Sequence, residues 1–202
     1  IFLIAASLRA PITGIAPVLE QIIEQFKLTA SQAGMLTTLP LIAFAIASPM
    51  AASLAKKYGL ELSLFIALLL IGVGVLSRLI DSASVLFIGT AVIGVGIAIG
   101  NVLLPSLIKR DFSHKVAVMT SSYVLAMGIF GGSYSALITP LAEYKEIGWQ
   151  VALASYSLLV LLAIVVWLPQ LKQHTMPGKA QVSHTTQAKV WHSPLAWQIT
   201  LL

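Results

Sequence analysis

The chain opens with Ile1-Phe-Leu-Ile-Ala-Ala-Ser-Leu-Arg-Ala-Pro-Ile-Thr-Gly-Ile-Ala-Pro17, in which Arg9 lies inside an otherwise apolar segment. An arginine at the depth of the bilayer centre costs about 2.5–3.5 kcal/mol on insertion scales, so it marks a polar pathway more often than not. Pro11, Gly14 and Pro17 follow closely, and a helix break at membrane depth is tolerated where the backbone is buried in protein or lines a water-filled cavity. The stretch therefore predicts a broken membrane helix beside a path for an anionic or hydrogen-bonding solute.

The composition of the whole chain indicates that lipid is its solvent. Of the 202 residues, 58% are hydrophobic and 9% are charged, whereas a soluble domain carries about 25% charged residues. The net charge of +5 comes from cations in short loops, without a basic stripe with interleaved aromatic residues, so no nucleic-acid partner is expected. The chain has no cysteine, which excludes disulfides and thiolate metal sites. No cofactor is expected.

Six segments are long and apolar enough to cross a bilayer, because a membrane-spanning helix needs about 20 apolar residues. They are residues 1–23, 33–54, 62–80, 85–108, 116–141 and 149–168. We expect residues 1–168 to form one six-helix bundle with a truncated first helix, 169–193 a flexible cytoplasmic linker, and 194–202 the start of a seventh helix. Since the chain begins and ends inside apolar runs, we interpret it as an internal fragment of a longer protein.

The distribution of lysine and arginine predicts the orientation of the spans. Eight cations follow the even-numbered spans and three follow the odd-numbered ones, and the richer side is cytoplasmic by the positive-inside rule. The eight are Lys56, Lys57, Lys109, Arg110, Lys115, Lys172, Lys179 and Lys189, and the three are Lys27, Arg78 and Lys145. Trp149 and Trp167 bracket the sixth span, and we expect both rings to lie in the two membrane interfaces.

The candidate solute-binding residues lie in the first and fourth spans. Arg9 and Thr13 are four residues apart and share a helix face, and a guanidinium offers a planar fork that fits carboxylates and small planar anions. Asn101 and Pro105 are one turn apart three helices later, so each of two three-helix repeats would open with a polar, proline-interrupted helix. Asn101 has two interpretations: a contact to the solute, or a partner for a carbonyl freed by Pro105.

The second and fifth spans supply weaker candidates. Tyr123 and Tyr134 fall near one stripe of the fifth span, which indicates either a surface for an aromatic solute or ordinary packing. Thr37 in the second span is a further candidate for solute binding. Gly128 and Gly132 form a small-xxx-small pair of the kind that permits close approach between membrane helices.

Catalytic residues are not evident in the apolar spans. The four histidines fall in loops, and no pair of carboxylates is expected to face the core, whereas catalysis within the membrane needs a nucleophile with its base or a set of metal ligands at depth. A membrane-embedded enzyme is therefore disfavoured. A non-transporting scaffold or receptor is disfavoured too, because it would not need Arg9 or two broken helices. The histidines are His114, His174, His184 and His192.

Three motifs resemble a known family. Ser7-Leu-Arg-Ala-Pro-Ile-Thr-Gly-Ile-Ala-Pro-Val-Leu19 is similar to the first helix of major facilitator superfamily transporters of the cyanate and 2-nitroimidazole type. Gly34-Met-Leu-Thr-Thr-Leu-Pro40 resembles the start of that family's second helix, and Gly100-Asn-Val-Leu-Leu-Pro-Ser-Leu-Ile-Lys-Arg-Asp-Phe112 resembles its fourth helix and the loop that follows. The resemblance covers essentially the whole chain.

The resemblance implies an all-α membrane protein, the N-terminal six-helix half of a twelve-helix major facilitator fold built from three-helix repeats. Its partners would be the missing C-terminal six-helix half, the lipid bilayer of the bacterial inner membrane and a small-molecule solute. The implied function is secondary transport of a small polar or anionic solute by alternating access, with Arg9 as the main contact and Asn101 and Tyr123 as neighbours. The alternative is a drug-type efflux carrier for neutral or aromatic compounds.

The superfamily usually has an acidic, glycine-flanked motif between its second and third helices. The matching stretch here is Ala51-Ala-Ser-Leu-Ala-Lys-Lys-Tyr-Gly-Leu-Glu61, in which Lys56 stands where an aspartate is common while Lys57 and Gly59 fit. The usual gating ion pair is therefore altered. We expect Asp111 to pair with Lys56 or Lys57 in its place.

Overall fold

A computed structural model describes residues 1–143 and 148–172, and all the regular structure within those two ranges is helical. This confirms the all-α fold class. Three short 3-10 segments, Ala16–Val18, Ser77–Leu79 and Leu168–Lys172, extend or connect the α-helices. The α-helices are α1 Phe2–Thr13, α2 Leu19–Phe26, α3 Ala30–Tyr58, α4 Leu60–Leu76, α5 Ala83–Asp111, α6 Val116–Glu143, α7 Gly148–Ala154 and α8 Ser157–Trp167.

These helices form six segments that are long and apolar enough to cross a membrane, in agreement with the six predicted spans. The chain is thus a multi-pass membrane protein. Of the expected linker, residues 169–172 lie in the 3-10 segment at the end of the sixth span, whereas 173–193 and the expected start of a seventh span, 194–202, lie outside the described residues. The six segments are Phe2–Phe26, Ala30–Tyr58, Leu60–Leu79, Ala83–Asp111, Val116–Ala142 and Gly148–Lys172.

The packing of the spans has the symmetry expected of two three-helix repeats. The first span packs against the fifth through α1 and α6, and the second packs against the fourth through α3 and α5. Exchanging equivalent members of the two repeats converts one of these pairs into the other. The third span also packs along the fourth through α4 and α5.

The second and fifth spans have the least buried surfaces of the six. Their exposed apolar side chains include Leu41, Ile46, Leu125, Ile129 and Leu137. Exposed apolar area of this extent needs lipid or another apolar surface to cover it.

Gly74 lies where the backbones of α4 and α5 approach each other very closely. A Cβ on Gly74 would lie 2.6 Å from the carbonyl oxygen of Gly89, whereas a Cβ on Gly72, two residues away on the same helix, would meet Val160 at an ordinary 3.5 Å. We expect Gly74→Ala to destabilise the full-length protein by about 1–3 kcal/mol, because the opposing backbone cannot move aside. Gly72→Ala is the matched control and should be neutral or stabilising by up to about 1 kcal/mol through helix propensity. Thermal unfolding in detergent measures both, and equal melting temperatures would contradict the close approach.

The structure corrects the expected role of the two tryptophans. Both rings are buried in the protein instead of facing a membrane interface. The Nε1 of Trp149 donates to the Oε1 of Gln25 at 2.6 Å, and the Nε1 of Trp167 donates to the carbonyl oxygen of Glu61 at 3.0 Å. Each indole therefore ties the sixth span to another span.

The expected positions of the helix break and of the close glycines are also corrected. The fourth span is one continuous helix, α5, with Pro105 inside it, while the second broken span is the sixth, between α7 and α8. A Cβ on Gly128 or Gly132 would meet nothing within 4 Å. Within the described ranges these two glycines pack against no other helix, and Gly131 between them makes the close contact.

Candidate functional site

The break in the first span is at the predicted place. Helix α1 ends at Thr13, and the chain passes through the 3-10 segment Ala16–Val18 before α2 begins at Leu19. Pro17 lies in the first turn of that segment, where its missing N–H costs nothing. The break lies near the middle of the span Phe2–Phe26, directly after the turn that carries Arg9.

Arg9 is exposed, and its side chain passes close to the fifth span. A Cβ on Gly131 would lie 2.7 Å from the Cγ of Arg9, so the absence of a side chain at position 131 leaves room for the arginine stem. Among residues 1–143 and 148–172, no hydrogen bond or ion pair engages the Arg9 guanidinium. The guanidinium is therefore available to a ligand.

Thr13 shares the Arg9 face, as predicted, but its hydroxyl proton is already engaged. A Cβ on Gly131 would also lie 3.6 Å from the Oγ1 of Thr13, so Arg9 and Thr13 border the same space beside the fifth span. That hydroxyl donates to the carbonyl oxygen of Gly131 at 3.1 Å and lies 3.3 Å from that of Ala10. Thr13 thus joins the first span to the fifth beside Arg9, and its oxygen remains able to accept.

Thr37 faces Thr13 across a cleft of about 240 Å³ between the first and second spans. The Thr37 hydroxyl donates to the carbonyl oxygen of Gly34 at 2.9 Å and is exposed. The structure therefore brings these two threonines to one opening, with its walls otherwise apolar. Those walls are Ile12, Ile15, Ala16, Leu36 and Pro40.

Asn101 lies at the level of Arg9 because the residues before them are in contact. Leu8 fills the space beside Gly100, where a Cβ would overlap the leucine side chain. The Asn101 amide is half-buried and has no hydrogen bond to another described residue, so it does not serve a carbonyl freed by Pro105. Of its two interpretations, the solute contact is the one that the geometry leaves available.

The fifth-span tyrosines do not form a binding surface. Tyr123 is 8% exposed and belongs to the main hydrophobic cluster. Tyr134 packs against Gly14 at the break in the first span, and its hydroxyl lies within hydrogen-bonding distance of the carbonyls of Ala152 and Leu153, at 3.1 and 3.0 Å. Both side chains are structural, which removes the aromatic stripe from the candidate site.

The break in the sixth span depends on tyrosine hydroxyls. Tyr134 binds the carbonyls at the end of α7, and Ser155 adds a 2.7 Å bond to the carbonyl of Ala152. Tyr156, after the break, donates to the carbonyl of Ala6 in α1 at 2.7 Å, and its ring lies 4.5 Å from that of Tyr134. The two broken spans are therefore joined to each other beside the candidate site.

A cluster of charges joins the third and fourth spans at the end that carries Lys56 and Lys57, here named the basic end. The Nη1 of Arg110 binds the Oε1 of Glu61 at 2.6 Å, and its Nε binds the Oδ1 of Asp111 at the same distance. Asp111 thus pairs with Arg110, and the expected pairing with a lysine is wrong. Lys56 is exposed, and Lys57 lies over the ring of Tyr58 at 5.1 Å.

Sequence reasoning placed Arg78 in a loop, whereas the structure buries it. It is 1% exposed and bonds to a carbonyl of α1. Its position three residues before Asp81, at the end of an apolar run, gave the appearance of an interfacial cation. Ser77 before it and Asp81 after it leave no local signal of its depth, which only the packing against α1 establishes.

Beside the broken first span, the site therefore combines a cation and an amide that have no partner among the described residues with two hydroxyls, which is chemistry for binding. In the part of the chain that the structure describes, no three of the side chains His, Asp and Glu come together as a metal site. Arg9, Thr13, Thr37 and Asn101 are brought to neighbouring positions. Tyr123 is not.

Comparison with known proteins agrees with this arrangement. The family model described as Major Facilitator Superfamily matches residues 1–202. The chain is similar to a 2-nitroimidazole transporter of Escherichia coli K12, with 51% identity over 100% of this chain and 51% of the relative. It is 40% identical to the uncharacterized transporter YycB of Bacillus subtilis 168, over 100% of this chain and 50% of the relative.

A third relative is the cyanate transport protein CynX of E. coli K12, at 30% identity over 98% of this chain and 51% of the relative. The chain spans about half the length of these curated relatives. The family match extends over every residue of the chain and agrees with its six-span, two-repeat architecture. The chain therefore belongs to the Major Facilitator Superfamily.

Proposed function

We propose that this chain is the N-terminal half of a secondary transporter that moves a small polar or anionic solute by alternating access. The observation that carries the proposal is Arg9: a cation inside a span, one turn before its break, exposed and without a partner in the described residues. An unpaired arginine at depth is costly to retain. A solute that supplies the missing negative charge or acceptor would compensate that cost during transport.

The solute class follows from the groups beside Arg9. A guanidinium binds planar anions through two parallel hydrogen bonds, while the free amide of Asn101 both donates and accepts. The three curated relatives are named as transporters, one of 2-nitroimidazole and one of cyanate. Small, planar, nitrogen-containing solutes suit such a set of donors. On this basis the protein is a carrier and not an enzyme.

A second six-helix unit would complete the site. The chain spans about half the length of its relatives, and the second and fifth spans leave long apolar faces exposed. Gly128 and Gly132 are open to such a unit, since nothing lies near them. Substrates of transporters with internal repeats bind near the bilayer midplane at the repeat interface, and the break that follows Arg9 lies near the middle of its span.

The proposed location is the bacterial inner membrane with the basic end in the cytoplasm. This orientation follows the lysine and arginine excess at that end. The rival function, a drug-type efflux carrier, would use the fifth-span aromatics, but Tyr123 is buried and Tyr134 is bonded to the sixth span. The contacts of these two residues therefore favour the anion-binding function.

Uptake by the full-length protein in proteoliposomes tests the proposal. Radiolabelled cyanate, 2-nitroimidazole and the apolar cation tetraphenylphosphonium are the three probes, with protein-free liposomes as the control. We expect saturable uptake of cyanate or 2-nitroimidazole and none of tetraphenylphosphonium above the control. Transport of the apolar cation alone would overturn the proposal and favour the efflux carrier.

A further inference from the structure

A second arginine, Arg78, lies inside the bundle and makes fewer hydrogen bonds than its chemistry allows: its guanidinium has five N–H donors but donates one hydrogen bond to a described residue. Arg78, in the 3-10 segment after α4, is 1% exposed, and its Nη2 donates to the carbonyl oxygen of Pro11 at 3.0 Å. Its Nε and Nη1 are buried and have no hydrogen-bond partner among residues 1–143 and 148–172. Buried polar groups are nearly always bonded, so each exception in a native structure requires an explanation.

The Pro11 carbonyl is free to accept because α1 ends two residues later. In a continuous helix it would accept from the N–H of residue 15. The N–H of Ile15 instead donates to the carbonyl of Ile12 at 3.3 Å. Arg78 occupies the acceptor that the break leaves unused, and its positive charge also suits the C-terminal end of a helix dipole. Arg78 is thus a cap for the broken helix.

The capped turn is the one that carries the candidate site. Arg9 precedes Pro11 by two residues, and Thr13 follows it by two. Arg78 itself is enclosed, so it cannot touch a solute at the exposed Arg9. Its influence on the site must pass through the backbone of α1.

We propose that Arg78 is a positioning residue: its bond to the Pro11 carbonyl fixes the direction of the last turn of α1 and thereby the placement of Arg9. The inference rests on the proposed function. An arginine present for stability alone is a poor explanation, because two of its donors are unsatisfied. Replacement of a buried charge by an apolar side chain of similar volume is often neutral or stabilising.

The test compares Arg78→Met and Arg78→Lys in the full-length protein. Methionine keeps much of the stem volume and removes the cap, whereas lysine keeps the charge and one donor to the carbonyl. We expect Arg78→Met to raise the KM for cyanate about tenfold with the maximal rate within about twofold of wild type, because a small misplacement of a binding group is costly. The KM of Arg78→Lys should lie between those of wild type and Arg78→Met.

A second readout needs no solute. The chain has no cysteine, so Ala16→Cys, just beyond the break, and Val118→Cys, exposed on α6, can carry spin labels once any cysteine elsewhere in the full-length protein is replaced by serine. Pulsed electron paramagnetic resonance then gives the distance between α6 and the 3-10 segment Ala16–Val18, whose direction is set by the last turn of α1. Arg78→Met should shift or broaden this distance in the absence of solute, and Arg78→Lys should do so less.

The outcomes separate this inference from the proposed function. An unchanged KM or an unchanged distance in Arg78→Met overturns the positioning role, whatever happens to the melting temperature. If that variant does not fold, Arg78→Lys decides: a raised KM with a shifted distance supports the role, and wild-type values overturn it. If wild type transports neither cyanate nor 2-nitroimidazole, both proposals fail. If Arg9→Gln loses uptake while the Arg78 variants behave like wild type, the proposed function stands and this inference alone is overturned.

Discussion

Replacing Arg9 with glutamine is expected to lower the kcat/KM for cyanate uptake by at least about tenfold. The exposed guanidinium has no partner among the described residues, so an anionic solute would supply its charge-assisted hydrogen bonds. Hydrogen bonds to charged groups contribute about 1.5–3 kcal/mol each, and 1.4 kcal/mol corresponds to about a factor of ten. Glutamine keeps a donor but loses the charge and the planar fork.

Arg9→Lys separates charge from geometry. Lysine keeps the positive charge but cannot form two parallel bonds to a planar group. We therefore expect a rate between those of wild type and Arg9→Gln with 2-nitroimidazole, whose nitro group has two oxygens in one plane, and a smaller loss with linear cyanate, which has no such pair of acceptors. Lys115→Gln is the matched control for net charge, because it removes one cation at an exposed position of the basic end. Uptake that is equal in Arg9→Gln and Lys115→Gln would make Arg9 a structural residue.

Gly131→Ala displaces Arg9 without changing its charge. The new Cβ would lie 2.7 Å from the Cγ of Arg9, and the flexible stem would have to shift. We expect a smaller loss of uptake than in Arg9→Gln, expressed mainly as a higher KM. This variant also tests the placement of Thr13, whose hydroxyl donates to the carbonyl of the same residue.

The six spans and the first helix break were predictable because they depend on local sequence. Apolar runs of about 20 residues identify spans wherever they occur. Pro17 has no N–H to donate to the carbonyl of Thr13 and Gly14 has a low helix propensity, so the end of α1 at Thr13 is readable from a few neighbouring residues. The same reasoning failed at Pro105, where a proline is accommodated inside a continuous helix.

The second break could not be predicted because its cause lies elsewhere in the chain. Neither glycine nor proline occurs between Ala154 and Ser157. The carbonyls that the break leaves free are bound by Tyr134, from a helix packed alongside. Tyr134, one member of the stripe interpreted as a solute surface, therefore helps to hold the two broken spans together.

The burial of charged and aromatic side chains was likewise set by tertiary contacts. Trp149 and Trp167 lie at the ends of their span, as expected, but partners on other spans bury them. Glu61 begins α4 and meets Arg110, 49 residues later, at the end of α5. Local patterns fix where a residue lies along its span. Only the packing of spans determines whether it faces lipid, protein or the site.

The pair of Glu61 and Arg110 provides the second large effect, on stability. The Glu61 carboxylate is 2% exposed and lies 2.6 Å from the Arg110 guanidinium. We expect Arg110→Gln to destabilise the full-length protein by about 3–5 kcal/mol, because it leaves a buried carboxylate without its arginine. Each charge also suits its own helix terminus, with Glu61 in the first turn of α4 and Arg110 in the last turn of α5.

Asp111 supplies a control on the same arginine. Its carboxylate binds Arg110 at the same 2.6 Å distance, but its side chain is 39% exposed. Exposed ion pairs contribute about 0–1 kcal/mol, so Asp111→Asn should change the melting temperature little. Because both carboxylates bind one guanidinium, the difference between them is their burial. Equal losses of melting temperature in Glu61→Gln and Asp111→Asn would contradict the conclusion that burial sets the size of the effect.

The double variant Glu61→Gln/Arg110→Gln shows why Arg110→Gln loses stability. Either a buried carboxylate is left without its arginine, or the attraction within the ion pair is itself what is lost. Removing both charges leaves two neutral side chains that can still hydrogen-bond, and a buried pair replaced as a unit loses far less than one broken by a single change. We expect the double variant to melt above Arg110→Gln, with a coupling energy of about 1–3 kcal/mol between the two positions. Melting curves of the four proteins in one detergent give this cycle. Strictly additive losses would mean that Glu61 and Arg110 act independently, and the link between the third and fourth spans would then rest on packing such as that at Gly74.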